Sequence, residues 1–221
     1  MRIEQPKGVR GSLKWIQRSV AERWPDLEAP ILAATGGAAL RWRSPLAADA
    51  YAEYRDEAVL GLVGALHLAE SLHGFWPARG PQWDALATTD TGAIVLVEAK
   101  AHVSELLSPG TAAGDASRKR IDETLGALAE RLNASPRRAD WADHFYQLAN
   151  RLAFLDFLRR NEAPAWLVLV DFVGDAEMGG PSVPETWDAA YQVAWHVMGL
   201  PRRHALTPHI LHVRPDVRPY A

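Results

Sequence analysis

The chain has 221 residues, 48% hydrophobic and 23% charged, a balance that suits one substantial globular core. A net charge of −3 and a pI of about 6.2 argue against a protein that coats nucleic acid through bulk positive charge, though not against an enzyme that grips phosphates locally. The absence of Cys excludes disulfides and thiolate metal sites, Met1–Arg10 lacks a signal-peptide pattern, and no apolar run approaches the roughly 20 residues that span a bilayer, so a soluble, cytoplasmic protein is expected.

Residues 1–49 carry the weakest pattern and are expected as an N-terminal extension packed on a main domain of residues 50–221. Ser12 is placed to cap a helix over Leu13–Trp24 that Pro25 ends, Gly36-Gly37 marks a loop, and Leu40–Arg43 reads as a short strand. Trp15, Ile16 and Val20 give that helix an apolar edge, to dock on the main domain or on a second subunit of a homodimer. Ala48–His73 reads as one long helix closed by Gly74, with Val59, Leu62, Val63, Leu66 and Ala69 as its buried stripe. Phe75-Trp76 is short enough for a minor strand.

Gln82–His102 reads as a β-hairpin. A first strand over about Trp83–Ala87 meets a Thr/Asp/Gly-rich turn, and a second strand covers Ile94–Lys100. The second strand begins as an unbroken apolar run, the mark of a strand buried on both faces, and then changes character at Glu98 and Lys100. Side chains alternate, so Glu98 and Lys100 share a face and Ala99 takes the other. With the turn centred on Thr91, opposed residue numbers sum to 182, which sets Asp84 against Glu98 with Cβ atoms roughly 5 Å apart. Two facing carboxylates in a partly buried sheet repel, and a hard divalent ion between them resolves the conflict.

Past the hairpin, His102 falls near this zone. Ser117–Asn133 is an amphipathic helix whose first turn holds Arg118-Lys119-Arg120, with Arg137-Arg138 in the next loop. Cations there sit poorly with the helix dipole, which raises a phosphate-binding role beside that of a solvated charge run. Asp140 is placed to cap a helix over Trp141–Arg160, in which Asp143, Gln147 and Asn150 form a polar line among large apolar residues. Trp166–Val173 reads as an apolar strand, and Ser182-Val183-Pro184-Glu185 has the spacing of a capping box opening a helix to Met198. His209–Val213 is a last strand, parallel to the one before, with His209 and His212 on opposite faces and therefore not a metal pair. The whole is α/β: a mixed central sheet with helices on both faces. No phosphate-cradling Gly loop, His-Glu-x-x-His or Gly-x-Ser-x-Gly motif is present.

An Asp on one strand followed by Glu-x-Lys on the next, with a helix before the hairpin and another after it, resembles the PD-(D/E)XK nuclease superfamily. Asp84 matches the Asp and Glu98-Ala99-Lys100 the Glu-x-Lys, thirteen residues apart; Trp83 stands where that pattern has Pro. The resemblance spans about Tyr51–Val173. It implies a restriction-endonuclease-like core and Mg²⁺- or Mn²⁺-dependent hydrolysis of nucleic acid, DNA ahead of RNA. Asp84, Glu98 and the Ala99 carbonyl would hold the metal, supported by Glu57 from the preceding helix, with Glu53 and Glu70 as further candidates. Lys100 would act on the phosphate or the attacking water. Gln147 would point into the pocket from the following helix, with Tyr146, Asn150 and Arg151 near enough to assist. The alternative is a catalytically inactive relative of the fold that binds nucleic acid or a protein partner.

Overall fold

The computed structural model describes residues 1–135 and 141–221; the expected cap Asp140 and the pair Arg137-Arg138 lie outside the described residues. From the N-terminus the chain forms β1 (Arg2–Ile3), α1 (Gly11–Ala21), α2 (Pro25–Thr35), β2 (Leu40–Ser44), β3 (Glu53–Tyr54), α3 (Glu57–Leu62) and α4 (Ala69–Phe75). Then follow β4 (Ala85–Thr89), β5 (Ile94–Lys100), α5 (Asp115–Arg131), α6 (Tyr146–Arg160), β6 (Ala165–Asp171), α7 (Pro184–Val197) and β7 (Ile210–Val213).

A five-stranded mixed sheet runs in the order β2-β4-β5-β6-β7, with β2, β4 and β5 successively antiparallel and β5, β6 and β7 parallel. β5 is its centre and every one of its seven residues is buried. Its apolar run follows from having two covered faces. Val95, Val97 and Ala99, with Val168 and Val170 of β6, pack against Trp15, Ile16, Val20, Leu27 and Ile31 of α1 and α2. Ile94 and Leu96, with Leu167 and Leu169, join a core built from α5, α6 and α7. The apolar edge of α1 therefore docks on its own sheet, and residues 1–49 supply one helical layer and an edge strand.

The hairpin register is the expected one: Ala85 opposes Val97 and Thr88 opposes Ile94, pairs that sum to 182. The first strand is displaced by two residues, to Ala85–Thr89, because Trp83 instead bridges Tyr54.

The long helix expected over Ala48–His73 does not form. Ala50, Tyr51 and Asp56 adopt φ of 50, 51 and 56°, and Gly64 a φ of 79°, each incompatible with a right-handed helix. The segment becomes a 3₁₀ turn at Ala47–Asp49, then β3, α3, a 3₁₀ turn at Leu66–Leu68 and α4. Leu66, read as buried, is 56% exposed, and Leu68 and Leu72 pack inward in its place. Phe75 ends α4 and is not in a strand. The helix expected from Trp141 starts at Tyr146, and the Trp141 indole donates to the Met198 carbonyl at 2.8 Å. Ser12 lies within α1 and binds Glu105 at 3.2 Å, so it is no cap, and no side-chain cap forms ahead of α7 either. Among the described residues no helix is long and apolar enough to cross a membrane.

Candidate active site

The C-terminal end of β5 carries Glu98 and Lys100 out of the apolar core on the face covered by α6, only 2% and 4% exposed. Asp84 arrives one residue before β4, where the hairpin register sets it against Glu98, and its Oδ2 accepts the Ala99 N–H at 2.7 Å. Lys100 Nζ donates to Glu98 Oε1 at 2.9 Å and to Gln147 Oε1 at 3.1 Å. Gln147 stands in the first turn of α6, where its backbone N–H would lack a helical partner; Ser108 Oγ accepts it at 2.9 Å. Asp84, the Glu98 and Lys100 of β5, and Gln147, from three separate stretches of chain, thus meet at one cleft of about 680 Å³.

Arg151 is the residue whose weight the sequence understated. One turn beyond Gln147, it donates from Nε to Glu98 Oε2 at 2.7 Å and from Nη2 to the Gln82 carbonyl at 2.6 Å. Nη1 reaches Asn150 Oδ1 at 2.8 Å, and the guanidinium lies 4.7 Å from the Trp83 ring centroid. The signal was available, since residues four apart share a helix face. Glu53 is the second such residue. Buried on β3, its Oε2 accepts from Gln82 at 2.5 Å and from Gln5 at 3.2 Å.

Other expected members lie elsewhere. Glu57 pairs with His73 at 2.5 Å, half-exposed, on a different cavity beside Trp76. Glu70 is exposed on α4. His102 turns to Ser104 and Glu105. Asp143 is drawn off by Arg118 at 3.0 Å, which breaks the polar line with Gln147 and Asn150. Arg118 also holds Asp122, Lys119 faces Glu123, and Arg120 donates to the His73 carbonyl, so this basic run is engaged within the chain.

The two facing carboxyls are driven apart electrostatically. Burial, then the charges of Glu98 and Glu53, push Asp84 well above the ordinary Asp range, against the Ala99 N–H and Arg151. Burial alone would raise Glu98 too, but the charges of Arg151 and Lys100 and their hydrogen bonds carry it below the usual Glu value. Burial also raises Glu53. Were all three enclosed carboxyls ionised, the two enclosed cations would leave one negative charge over, a surplus that burial and the raised Asp84 and Glu53 values oppose until a cation is bound.

That surplus, on hard oxygen donors, fits a divalent cation in charge and ligand chemistry. Asp84, Glu98 and the Ala99 carbonyl would hold it. Arg151 and Lys100 now occupy the two Glu98 oxygens, and among the described residues no three His, Asp or Glu side chains are already gathered as a metal cage.

These features define an α/β protein with a charged cleft at the end of its central strand. Comparison with family models, with curated proteins and with solved structures finds no match.

Proposed function

We propose that this chain is a metal-dependent nuclease with a restriction-endonuclease-like core, hydrolysing phosphodiester bonds in nucleic acid, DNA ahead of RNA. The observation that carries the reading is the convergence of Lys100 Nζ with Glu98 and Gln147 beside Asp84 at an open cleft. The order of elements supports it too: a hairpin bearing Asp and Glu-x-Lys, then α6 supplying Gln147, then β6 parallel to β5. Mg²⁺ or Mn²⁺ bound there would polarise a phosphoryl oxygen and acidify a water. Lys100, buried yet aimed at the cleft, can donate to a phosphate oxygen, and Gln147 fixes the direction of its ammonium. Arg79, exposed at the mouth, adds a positive charge that draws a phosphate inward.

The test is a cleavage assay on single- and double-stranded DNA and RNA with Mg²⁺, Mn²⁺ or EDTA. Divalent-dependent cleavage is expected, with Lys100→Met and Asp84→Asn each reducing it by about 100-fold or more, the scale of losing one stabilising donor at a reaction centre. Cleavage that survives EDTA, or that both variants retain, overturns the reading.

One observation favours the alternative of a non-catalytic module binding nucleic acid or a protein partner. Arg151 satisfies Glu98 from within the chain, at 2.6 Å in its closest approach. On that reading the wild type cleaves nothing, and Arg151→Gln gains no metal affinity.

A further inference from the structure

At the β7 edge of the sheet a further cavity, about 550 Å³, lies between α7, the turn that follows it and β7. Its ionisable lining is His196, Arg202, His204 and His212, with no acidic side chain among the described residues. Trp195, half-buried and stacked on Tyr191 at 5.7 Å, forms an aromatic wall, and Leu200 and Ile210 add apolar surface. The size falls within the roughly 300–1,000 Å³ of small-molecule sites.

Two of the imidazoles, His212 and His204, are set in place. His212 Nδ1 lies 3.2 Å from Oδ2 of Asp171, which is wholly buried, and the other oxygen of Asp171 accepts the Tyr191 hydroxyl at 2.9 Å. The Tyr191 ring meets His212 edge-on at 4.4 Å. A carboxylate on Nδ1 keeps the proton there and leaves Nε2 as the nitrogen for a ligand. His204 Nδ1 accepts the Leu206 N–H at 3.3 Å, so its neutral ring carries hydrogen on Nε2 and is a donor. The nearest acid on α7, Asp188, is tied to Arg214 at 2.8 Å. Among the described residues Arg202 has no ion-pair partner, and the three imidazoles belong to no gathered metal cage.

A cavity that offers one guanidinium, an imidazole donor and an imidazole fixed by a buried carboxylate suits a phosphomonoester. Such a group carries between one and two negative charges near neutral pH and can both accept and donate a proton. The Trp195 wall suits a flat ring beside it. We propose that this cavity binds a nucleoside monophosphate group, with phosphate on Arg202, His204 and His212 and the base against Trp195. The group is either a free nucleotide or the 5′-phosphorylated end of a strand. This does not depend on the Asp84 cleft being catalytic.

The full chain, labelled at its His and Trp side chains, is titrated by NMR with adenosine monophosphate, adenosine, inorganic phosphate, and a dinucleotide with and without a 5′-phosphate. Saturable shifts of the His204, His212 and Trp195 ring signals are expected with adenosine monophosphate, the phosphorylated dinucleotide or both. The nucleotide distinguishes a free ligand and the dinucleotide a strand end. Arg202→Ala, at an exposed position that leaves folding intact, should weaken binding at least tenfold, and Asp84→Asn should leave it unchanged. Absence of ring shifts at millimolar ligand overturns the proposal, as do binding of adenosine equal to that of its monophosphate, binding of inorganic phosphate as tight as the nucleotide, or affinity unaffected by Arg202→Ala.

Discussion

At the scale of single residues, the cleft turns on two carboxyls of opposite habit. Glu98 is held ionised by Arg151 and Lys100, whereas Asp84 is left with the burial and the repulsion. A carboxyl whose folded pKa is raised binds its proton more tightly folded than unfolded. It therefore weakens the fold above that pKa, and the penalty fades as pH falls through it towards the ordinary Asp value. Asp84→Asn keeps an oxygen for the Ala99 N–H and removes the charge. Without added metal it should be more stable than wild type at neutral pH, seen as a higher melting temperature. The gain should shrink as pH drops through the raised Asp84 value. Thermal melts at several pH values in EDTA read this directly; a variant less stable than wild type at neutral pH would make Asp84 a structural acceptor and nothing more. The facing of these carboxyls was legible in sequence because strand alternation and hairpin register are simple periodic rules, and the same rules put Lys100 beside Glu98. Arg151 and Glu53 were less legible. Arg151 is tied to Glu98 across 53 residues of chain, and Glu53 stood only as a further candidate behind Glu57 because its segment reads as helix.

That misreading belongs to the scale of elements. Residues 48–73 show helical spacing of apolar side chains, and of their breaks only Gly64 is written as a glycine. Asp56 shows what overrides propensity. At a φ of 56°, its carboxylate accepts the Gly80 N–H at 2.8 Å and the Arg79 N–H at 3.3 Å. The turn before α3 is thereby fastened to the loop that delivers Gln82, Trp83 and Asp84, a contact that sequence periodicity cannot report. Asp56→Ala loses both bonds and keeps a Cβ in the left-handed region, while Asp56→Gly loses the bonds but relieves the backbone. Alanine should cost about 1–3 kcal/mol and glycine less, by urea denaturation. An alanine variant as stable as the glycine one would show that the backbone conformation at 56 is not enforced. β5 is the contrasting element. Its apolar run, its length and its two-sided burial all follow from one cause, its central place in the sheet, and so all were readable together.

At the scale of the molecule, the layer formed by residues 1–49 backs the strand that carries the cleft. Trp15, Ile16, Val20, Trp24, Leu27 and Ile31 are each at most 4% exposed, against sheet residues that include Val97, Ala99 and Val170. Ala99 is the residue between Glu98 and Lys100, so α1 and α2 support the reverse face of the strand that carries the site. The layer is clasped from the other end of the chain as well. Tyr220 stacks on Trp24 with ring centroids 3.6 Å apart, and its carbonyl accepts from Arg18. Gln5 reaches Glu53, and Ser12 reaches Glu105, whose other oxygen accepts the Ala101 and His102 N–H groups just past Lys100. Burying one large apolar side chain contributes about 1.5–3 kcal/mol at most, so six of them reach the order of 10 kcal/mol. That equals the whole net stability of a typical domain, about 5–15 kcal/mol. Removal would also leave β4 without its edge partner β2, exposing a strand edge prone to association. A chain of residues 50–221 should therefore lose cooperative thermal unfolding and bind a hydrophobic dye. Trp24→Ala in the full chain should remain folded but lose about 3–5 kcal/mol. Circular dichroism melts of both, with limited proteolysis of the truncated chain, give the answer. A truncated chain that unfolds cooperatively near the wild-type temperature would make residues 1–49 a separable extension, with the cleft complete without them.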